Sequence, residues 1–74
     1  MQIFIETLTG KTFELDVKSH HTIKFVKNKL QEKEDLLSSS QRLYLSGTRL
    51  QNHHTLKHYN ILRDSTLDLL LRDY

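Results

Sequence analysis

Apolar and polar residues alternate along the first part of the chain. Ile3 and Ile5 share one parity in the first run, and Phe13, Leu15 and Val17 share one parity in the second, where polar residues separate them. A period of two is typical of half-buried strands. Gly10 lies between the two runs and is able to adopt a positive φ, which suits a bulged turn. The pattern therefore predicts two strands paired as an antiparallel hairpin.

From Thr22 the apolar spacing changes to three and four. Ile23, Val26 and Leu30 fall on one face of an amphipathic helix of about three turns. The hydroxyl of Thr22 is suited to cap its first turn. Asp35 follows the helix where a glycine usually takes the left-handed cap, at a cost of about 1 kcal/mol. The start signal is half complete, because Phe25 stands where a capping box has Glu or Gln, and we expect the helix to end less sharply than usual.

Shorter elements occupy the second half of the chain. A polar loop at residues 38–40 precedes a third strand that ends before Gly47, and residues 48–50 predict a short returning edge. Residues 56–61 fit one helical turn, and residues 65–72 alternate as a last strand. Strands, a helix and further strands in this order are typical of an α+β fold in which one sheet covers one helix.

The inward parity of each strand and the apolar face of the helix together define a predicted core. It consists of Ile3, Ile5, Phe13, Leu15, Val17, Ile23, Val26, Leu30, Leu43, Leu50, Leu56, Ile61, Leu67 and Leu69.

Length and composition limit the protein class. The 74 residues have room for one hydrophobic core, so we expect a single domain over residues 1–74. The chain has no cysteine, so nothing demands an oxidising compartment, which favours the cytoplasm or nucleus. Its apolar runs are far shorter than the ~20 residues that span a bilayer, so we expect no membrane insertion. A net charge of +2 from 11 basic and 9 acidic residues is too mixed to favour nucleic acid.

The side chains give little support for catalysis or a cofactor. Neither a nucleophile-elbow serine nor a glycine-rich phosphate loop occurs, and no carboxylate pair stands out. His54 and His58 have the spacing that holds zinc on a helix, but no cysteine or well-placed carboxylate completes the set. We therefore expect solvated loop histidines, no metal, no cofactor and no enzymatic activity. The charged residues of the predicted helix indicate a face that is exposed to solvent and stabilised by salt bridges. They are Lys24, Lys27, Lys29 and Lys33 with Glu32 and Glu34.

An exposed apolar surface follows from strand parity. The parity that buries the alternating leucines of the third and last strands leaves Tyr44 and Leu70 outside. Leu8, from the first turn, joins them, and we call these three residues the apolar patch. The alternative is that scattered exposed leucines carry no function, as on most proteins.

Six segments along the chain carry a family resemblance. They are MQIF at 1–4, TLTGKT at 7–12, QRL at 41–43, TL at 55–56, YNI at 59–61 and STL at 65–67. These segments resemble ubiquitin, and the match runs without gaps from end to end. The resemblance implies a ubiquitin-like β-grasp: an α+β fold with a mixed β-sheet packed on one amphipathic α-helix. This agrees with the architecture predicted from periodicity.

The resemblance also implies how such a domain binds its partners. The apolar patch matches the surface through which ubiquitin meets its receptors, so we expect a monomeric module bound non-covalently by ubiquitin-binding domains or proteasome receptors. The implied partner-binding residues are Leu8, Arg42, Tyr44, Gly47, Arg49, Asp68, Leu70 and Arg72. A second surface, formed by Leu8, Leu36 and Leu71, resembles another contact face of the family. Tyr44 and Leu70 are larger than the family residues, and Asp68 replaces a histidine.

Covalent attachment remains the main alternative. Attachable members of the family end in Gly-Gly, whereas this chain reads Arg72-Asp73-Tyr74, so we do not expect it to be conjugated as written. A modifier with a trimmed or extended tail, or an engineered ubiquitin variant, stays open. Lysines that match modified positions of the family are Lys11, Lys27, Lys29 and Lys33.

Overall fold

Six elements of regular structure follow one another in the predicted order. A computed structural model describes residues 1–72. The elements are β1 (Gln2–Thr7), β2 (Thr12–Asp16), α1 (Ile23–Glu34), β3 (Gln41–Leu45), β4 (Thr48–Arg49) and β5 (Thr66–Leu71). One-turn 3-10 helices at Ser38–Ser40 and Lys57–Tyr59 complete the chain between them. Asp73 and Tyr74, on which the tail expectation rests, lie outside the described residues.

The five strands form one mixed sheet in the order β2-β1-β5-β3-β4. The predicted antiparallel pairing of β1 with β2 is confirmed. β5 lies parallel to β1 and antiparallel to β3. The first and last strands are therefore neighbours within the sheet, and because they run parallel, Met1 and Arg72 lie at opposite ends of this strand pair.

The ends of α1 have the predicted chemistry. The Thr22 hydroxyl accepts a hydrogen bond from the Phe25 N–H at 3.1 Å, so it caps the first turn. Asp35 adopts the left-handed conformation at φ 60° and its N–H donates to the Gln31 carbonyl. The Thr22 cap is confirmed, and Asp35 takes the left-handed position that a glycine usually occupies. Among residues 1–72, no helix is long and apolar enough to cross a membrane.

The core is the one that the pattern predicts. Every side chain of the predicted core is less than 9% exposed, and together these side chains form one cluster. Met1, Phe25, Leu36, Leu45 and Tyr59 pack around its edge. The ubiquitin-like β-grasp architecture, with one helix packed on a mixed sheet, is confirmed.

Two polar side chains are also buried, and the pattern did not predict either of them. Gln41 is fully buried, and its Nε2 donates to the carbonyl oxygens of Lys27 and Leu36 at 2.9 and 3.0 Å. This amide ties β3 to the helix and to the loop that follows it. Lys27 is 4% exposed. The expectation that Lys27 belongs to a solvated helix face is therefore wrong.

Candidate functional site

The apolar patch is assembled from three parts of the fold. In the antiparallel pairing of β3 with β5, Tyr44 lies opposite Asp68, and Arg42 lies opposite Leu70. Leu8 comes from the turn between β1 and β2, at the adjacent end of the sheet. The three side chains line one open cleft of about 510 Å³, together with Gly47 and Asp68. The structure thus brings together five of the eight predicted partner-binding residues.

Exposure differs among the members of the apolar patch. Leu8 is 85% exposed and Leu70 is 38% exposed. Tyr44 is half-buried, so it forms a wall of the cleft rather than a free side chain. Leu8 therefore has the most apolar surface to lose to a partner.

The turn beside Tyr44 fixes one rim of this cleft. Ser46 and Gly47 have φ values of 50° and 84° between the paired residues Leu45 and Thr48. A two-residue hairpin with both central φ values positive is the turn whose twist matches the flanking strands. A glycine adopts this geometry without strain, which explains Gly47 at the rim.

The predicted basic residues do not surround the apolar patch as one ring. Arg42 and Arg49 line a different cleft, which Lys24 and Lys27 of α1 also line. Arg72 lies beside Leu37 and Leu71 in a shallow depression. The eight predicted partner-binding residues thus divide among three surfaces.

The second surface also exists as a physical hollow. Leu8, Leu36 and Leu71 line a depression of about 330 Å³, with Phe13 and Leu69 beneath them. Leu71 is 48% exposed, so it does not complete the core. Leu8 lines both this hollow and the cleft of the apolar patch.

The four candidate lysines have different environments. Lys11 is exposed, with Nζ 5.1 Å from the centre of the Phe13 ring. Lys33 is exposed and donates to the Glu14 carbonyl at 2.6 Å, and Lys29 lies 5.9 Å from the Phe25 ring. Lys27 is the least exposed of the four, and its Nζ donates to Asn52 Oδ1. Modification of all four lysines stays a prediction.

The expected salt bridges of the helix do not form. Within residues 1–72, the ion pair that is present joins the N-terminal ammonium group to Asp16 at 3.4 Å. The basic side chains of α1 instead contact rings, carbonyl oxygens or amide oxygens. The helix therefore presents uncompensated positive charge.

The histidines make ring contacts, although His20, His53 and His58 are exposed. The rings of His54 and His58 lie parallel at 3.8 Å, and His21 stacks on Phe25 at 3.8 Å. His21 and His54 are half-buried, so the expectation of solvated loop histidines is wrong for these two. No group of three or more metal-binding side chains lies together in the described part of the chain.

Burial lowers the pKa of His21, and the positive charges of His20, Lys18, Lys29 and the N-terminal amine lower it further. Its Nδ1 accepts a hydrogen bond from the Lys18 N–H at 2.9 Å, which protonation at that nitrogen would remove. The neutral ring is therefore the form that fits the fold. Burial, His53 and His58 likewise lower the pKa of His54.

Acidification is expected to destabilise the fold through His21. A histidine whose pKa is lower in the folded state contributes stability above its unfolded pKa of 6.5, and that stability is lost as the pH falls below this value. The melting temperature should therefore drop between about pH 7.5 and about pH 5.5. In His21→Asn, whose Oδ1 takes the position of Nδ1 and accepts the same N–H but does not titrate, the drop should be smaller. An equal drop in both proteins would contradict the role of His21.

Comparison with known proteins places the chain in a family. A family model described as the ubiquitin family matches residues 3–74, almost the whole chain. The chain belongs to the ubiquitin family. Members of this family are generally modifiers or interaction modules rather than enzymes.

The relatives of this ubiquitin-family chain differ in length. NEDD8-like protein RUB3 of Arabidopsis thaliana is 37% identical, over 96% of this chain and 91% of that protein. AN1-type zinc finger protein 4 of Mus musculus is 39% identical over 96% of this chain, which corresponds to 10% of that protein. Ubiquitin-like protein 4A of Xenopus laevis is 36% identical over 99% of this chain and 49% of that protein. The chain is thus similar both to a nearly whole small protein and to part of longer ones.

Proposed function

We propose that this ubiquitin-family domain is an interaction module that ubiquitin-receptor domains or proteasome receptors bind non-covalently through the apolar patch. The observation that carries the proposal is the convergence of Leu8, Tyr44 and Leu70 on one open cleft. The fold does not require this arrangement, because the core is complete without these three side chains. Exposed apolar surface gathered in one place is typical of protein interaction sites.

The size of the apolar patch predicts a reversible complex. An interface built on three large apolar side chains lies near the low end of standard interface areas. We expect micromolar affinity, equivalent to about −8 kcal/mol. Such an affinity suits repeated capture and release by receptors in the cytoplasm or nucleus, with the domain acting as a monomer.

Asp68 gives the apolar patch a selective element. It lies opposite Tyr44 and lines the same cleft, so it places a negative charge beside the apolar contact. A receptor with an acidic rim would be repelled there, whereas one with a lysine or arginine would be favoured. We therefore expect this domain to prefer receptors with a basic residue facing Asp68.

Tyr44→Ala is expected to abolish receptor binding and to retain the fold. The substitution removes the aromatic wall of the cleft, and aromatic side chains at the centre of an interface carry much of its binding energy. Affinity for a ubiquitin-receptor domain, measured by calorimetric titration, should fall by at least about tenfold. Leu8→Ala should also weaken binding, because it removes the most exposed apolar side chain of the patch.

Leu62→Ala supplies the matched control. Leu62 is 69% exposed but does not line the cleft of the apolar patch. Leu62→Ala removes the same three carbon atoms as Leu8→Ala, but it should leave the affinity for the receptor domain unchanged. Unaltered binding by Tyr44→Ala, with the fold verified by its amide spectrum, would refute the assignment.

A covalent modifier is the second candidate. It is favoured by the similarity to RUB3 and to ubiquitin-like protein NEDD8 of Dictyostelium discoideum, 35% identical over 92% of that protein. The distinguishing experiment incubates the full-length gene product with activating enzyme and ATP, and then tests for a thioester. A thioester supports the modifier, and its absence together with receptor binding supports the interaction module.

A further inference from the structure

A second cleft, on the helix side of the fold, is strongly basic. It has a volume of about 510 Å³ and is lined by Lys24, Lys27, Arg42 and Arg49, which we call the basic cleft. Among the described residues, no aspartate or glutamate contributes to its lining. A concave surface lined by one sign of charge concentrates ions of the opposite sign. The basic cleft is therefore an attractive region for anions.

Lys27 is the unusual member of the basic cleft because it is 4% exposed. Its Nζ donates a hydrogen bond to the side-chain Oδ1 of Asn52 at 2.5 Å. An ammonium group has three N–H donors, and Asn52 accepts one of them. Within residues 1–72, Lys27 has no ion-pair partner. A buried charge is normally paired with an opposite charge, so this one lacks the usual compensation.

The electrostatics agree with this geometry. Burial lowers the pKa of Lys27, and the positive charges of Arg42, Arg49 and Lys24 lower it further. Burial and the three neighbouring positive charges each destabilise the ammonium form of Lys27. An anion bound in the cleft would stabilise that form.

The backbone holds the inner wall of the cleft in place. The N–H groups of Ile23 and Lys24, at the start of α1, donate to the carbonyl oxygens of His54 and Asn52 at 2.9 and 3.1 Å. The turn that carries Asn52 is therefore fixed against the helix one turn before Lys27. Across the cleft, Lys24 Nζ donates to Ser38 Oγ at 3.3 Å. A site with walls fixed in advance loses less conformational entropy when a ligand binds.

We propose that the basic cleft binds a small soluble anion with two or more phosphate charges, of the diphosphate class. Lys27 lies at the base of the site, and Lys24 and Arg49 lie at its rim. The volume falls within the range of about 300–1,000 Å³ that is usual for small-molecule sites. Guanidinium groups match phosphate oxygens in paired hydrogen bonds, and several positive charges favour a multiply charged ligand over a single carboxylate. This site is separate from the cleft of the apolar patch, although Arg42 and Arg49, which line it, also belong to the predicted partner-binding residues.

The test is a titration of the isotopically labelled chain with inorganic pyrophosphate at neutral pH and low ionic strength. We expect saturable binding of one ion per chain, with the largest amide shifts near Lys24, Lys27 and Asn52. The melting temperature should rise with pyrophosphate and then level off, because the ligand binds the folded state. Sodium chloride at matched ionic strength should produce neither effect.

Asn52→Asp is the decisive variant because it changes one atom of the side chain and places a carboxylate against the Lys27 ammonium. The internal carboxylate should compete with the ligand, so pyrophosphate affinity should fall by at least about tenfold. Asn28→Asp makes the same change in net charge on the exposed face of α1, outside the cleft lining. Its affinity should remain within about twofold of the original.

Arg49→Gln provides a test that does not alter the buried lysine. Arg49 is exposed, so its replacement should leave the fold intact and weaken pyrophosphate binding severalfold. The proposal is overturned if pyrophosphate does not saturate, if Asn52→Asp binds as well as the original chain, or if both aspartate variants lose affinity equally.

Discussion

Leu67→Ala is expected to lower the free energy of unfolding by about 2–5 kcal/mol. Leu67 is fully buried and lies beside Ile5 in the parallel pairing of the two central strands. The truncation removes three carbon atoms from the middle of the core and leaves a cavity. β5 cannot shift to fill it, because the strand is hydrogen-bonded to β1 on one side and to β3 on the other. Total stability for a chain of this length is about 4–11 kcal/mol, so the loss would remove a large part of it.

Urea denaturation followed by circular dichroism measures this loss. Leu62→Ala is the matched control, since Leu62 is 69% exposed and the same atoms are removed. The control should change the free energy of unfolding by less than about 0.5 kcal/mol. Equal effects of the two substitutions would show that Leu67 is not in the core of the folded chain.

Gln41→Glu is expected to cost about 3–5 kcal/mol at neutral pH. The Gln41 amide is fully buried and donates to two carbonyl oxygens, those of Lys27 and Leu36. A carboxylate of the same shape donates nothing, and it would bring a negative charge close to both oxygens. Few single-atom changes in this fold should be as damaging.

The cost should depend on pH in a defined direction. Burial raises the pKa of a carboxyl group, so the folded variant binds its proton more tightly than the unfolded one. The destabilisation relative to the original chain is smallest below the unfolded pKa of about 4.3, where the protonated group still donates one hydrogen bond. It grows as the pH rises above that value.

The difference in free energy of unfolding between variant and original chain should therefore increase from about pH 4 to about pH 7. Gln31→Glu is the control, because Gln31 is exposed and its Oε1 accepts a hydrogen bond from the Ser38 N–H, which a carboxylate also accepts. A pH-independent difference for Gln41→Glu would contradict the buried-donor account.

Periodicity predicted the elements and the apolar core because burial is the dominant constraint on such residues. In β5, Leu67 and Leu69 are buried and Thr66 and Asp68 are exposed, as alternation requires. The parity fails at Leu71, which is 48% exposed, because loop residues rather than the helix lie beside it. Alternation specifies which face of the sheet a side chain lies on, but it does not show which part of that face the helix covers.

The buried polar residues were missed although the sequence carries their signal. Gln41 shares the parity of Leu43 in β3, and Lys27 follows Ile23 by four residues on the inward side of α1. Polarity argued against burial at both positions. Their burial depends on partners distant in sequence, the Leu36 carbonyl for Gln41 and Asn52 for Lys27, which a local pattern does not reveal.

The candidate site was predicted in part for the same reason. Strand parity and the first turn were sufficient to gather Leu8, Tyr44 and Leu70. Parity did not show that the side chains of Arg42 and Arg49 line a cleft together with Lys24 and Lys27 of the helix. The basic cleft is a product of tertiary packing, and it appears only when α1 lies across the sheet.

The central position of the parallel strand pair has a consequence for synthesis on the ribosome. β1 is made first, but its neighbour β5 is made last. While the intervening residues emerge, one edge of β1 has no backbone partner and remains open to other chains. This edge of β1 is therefore exposed to aggregation until β5 has been made and the sheet closes.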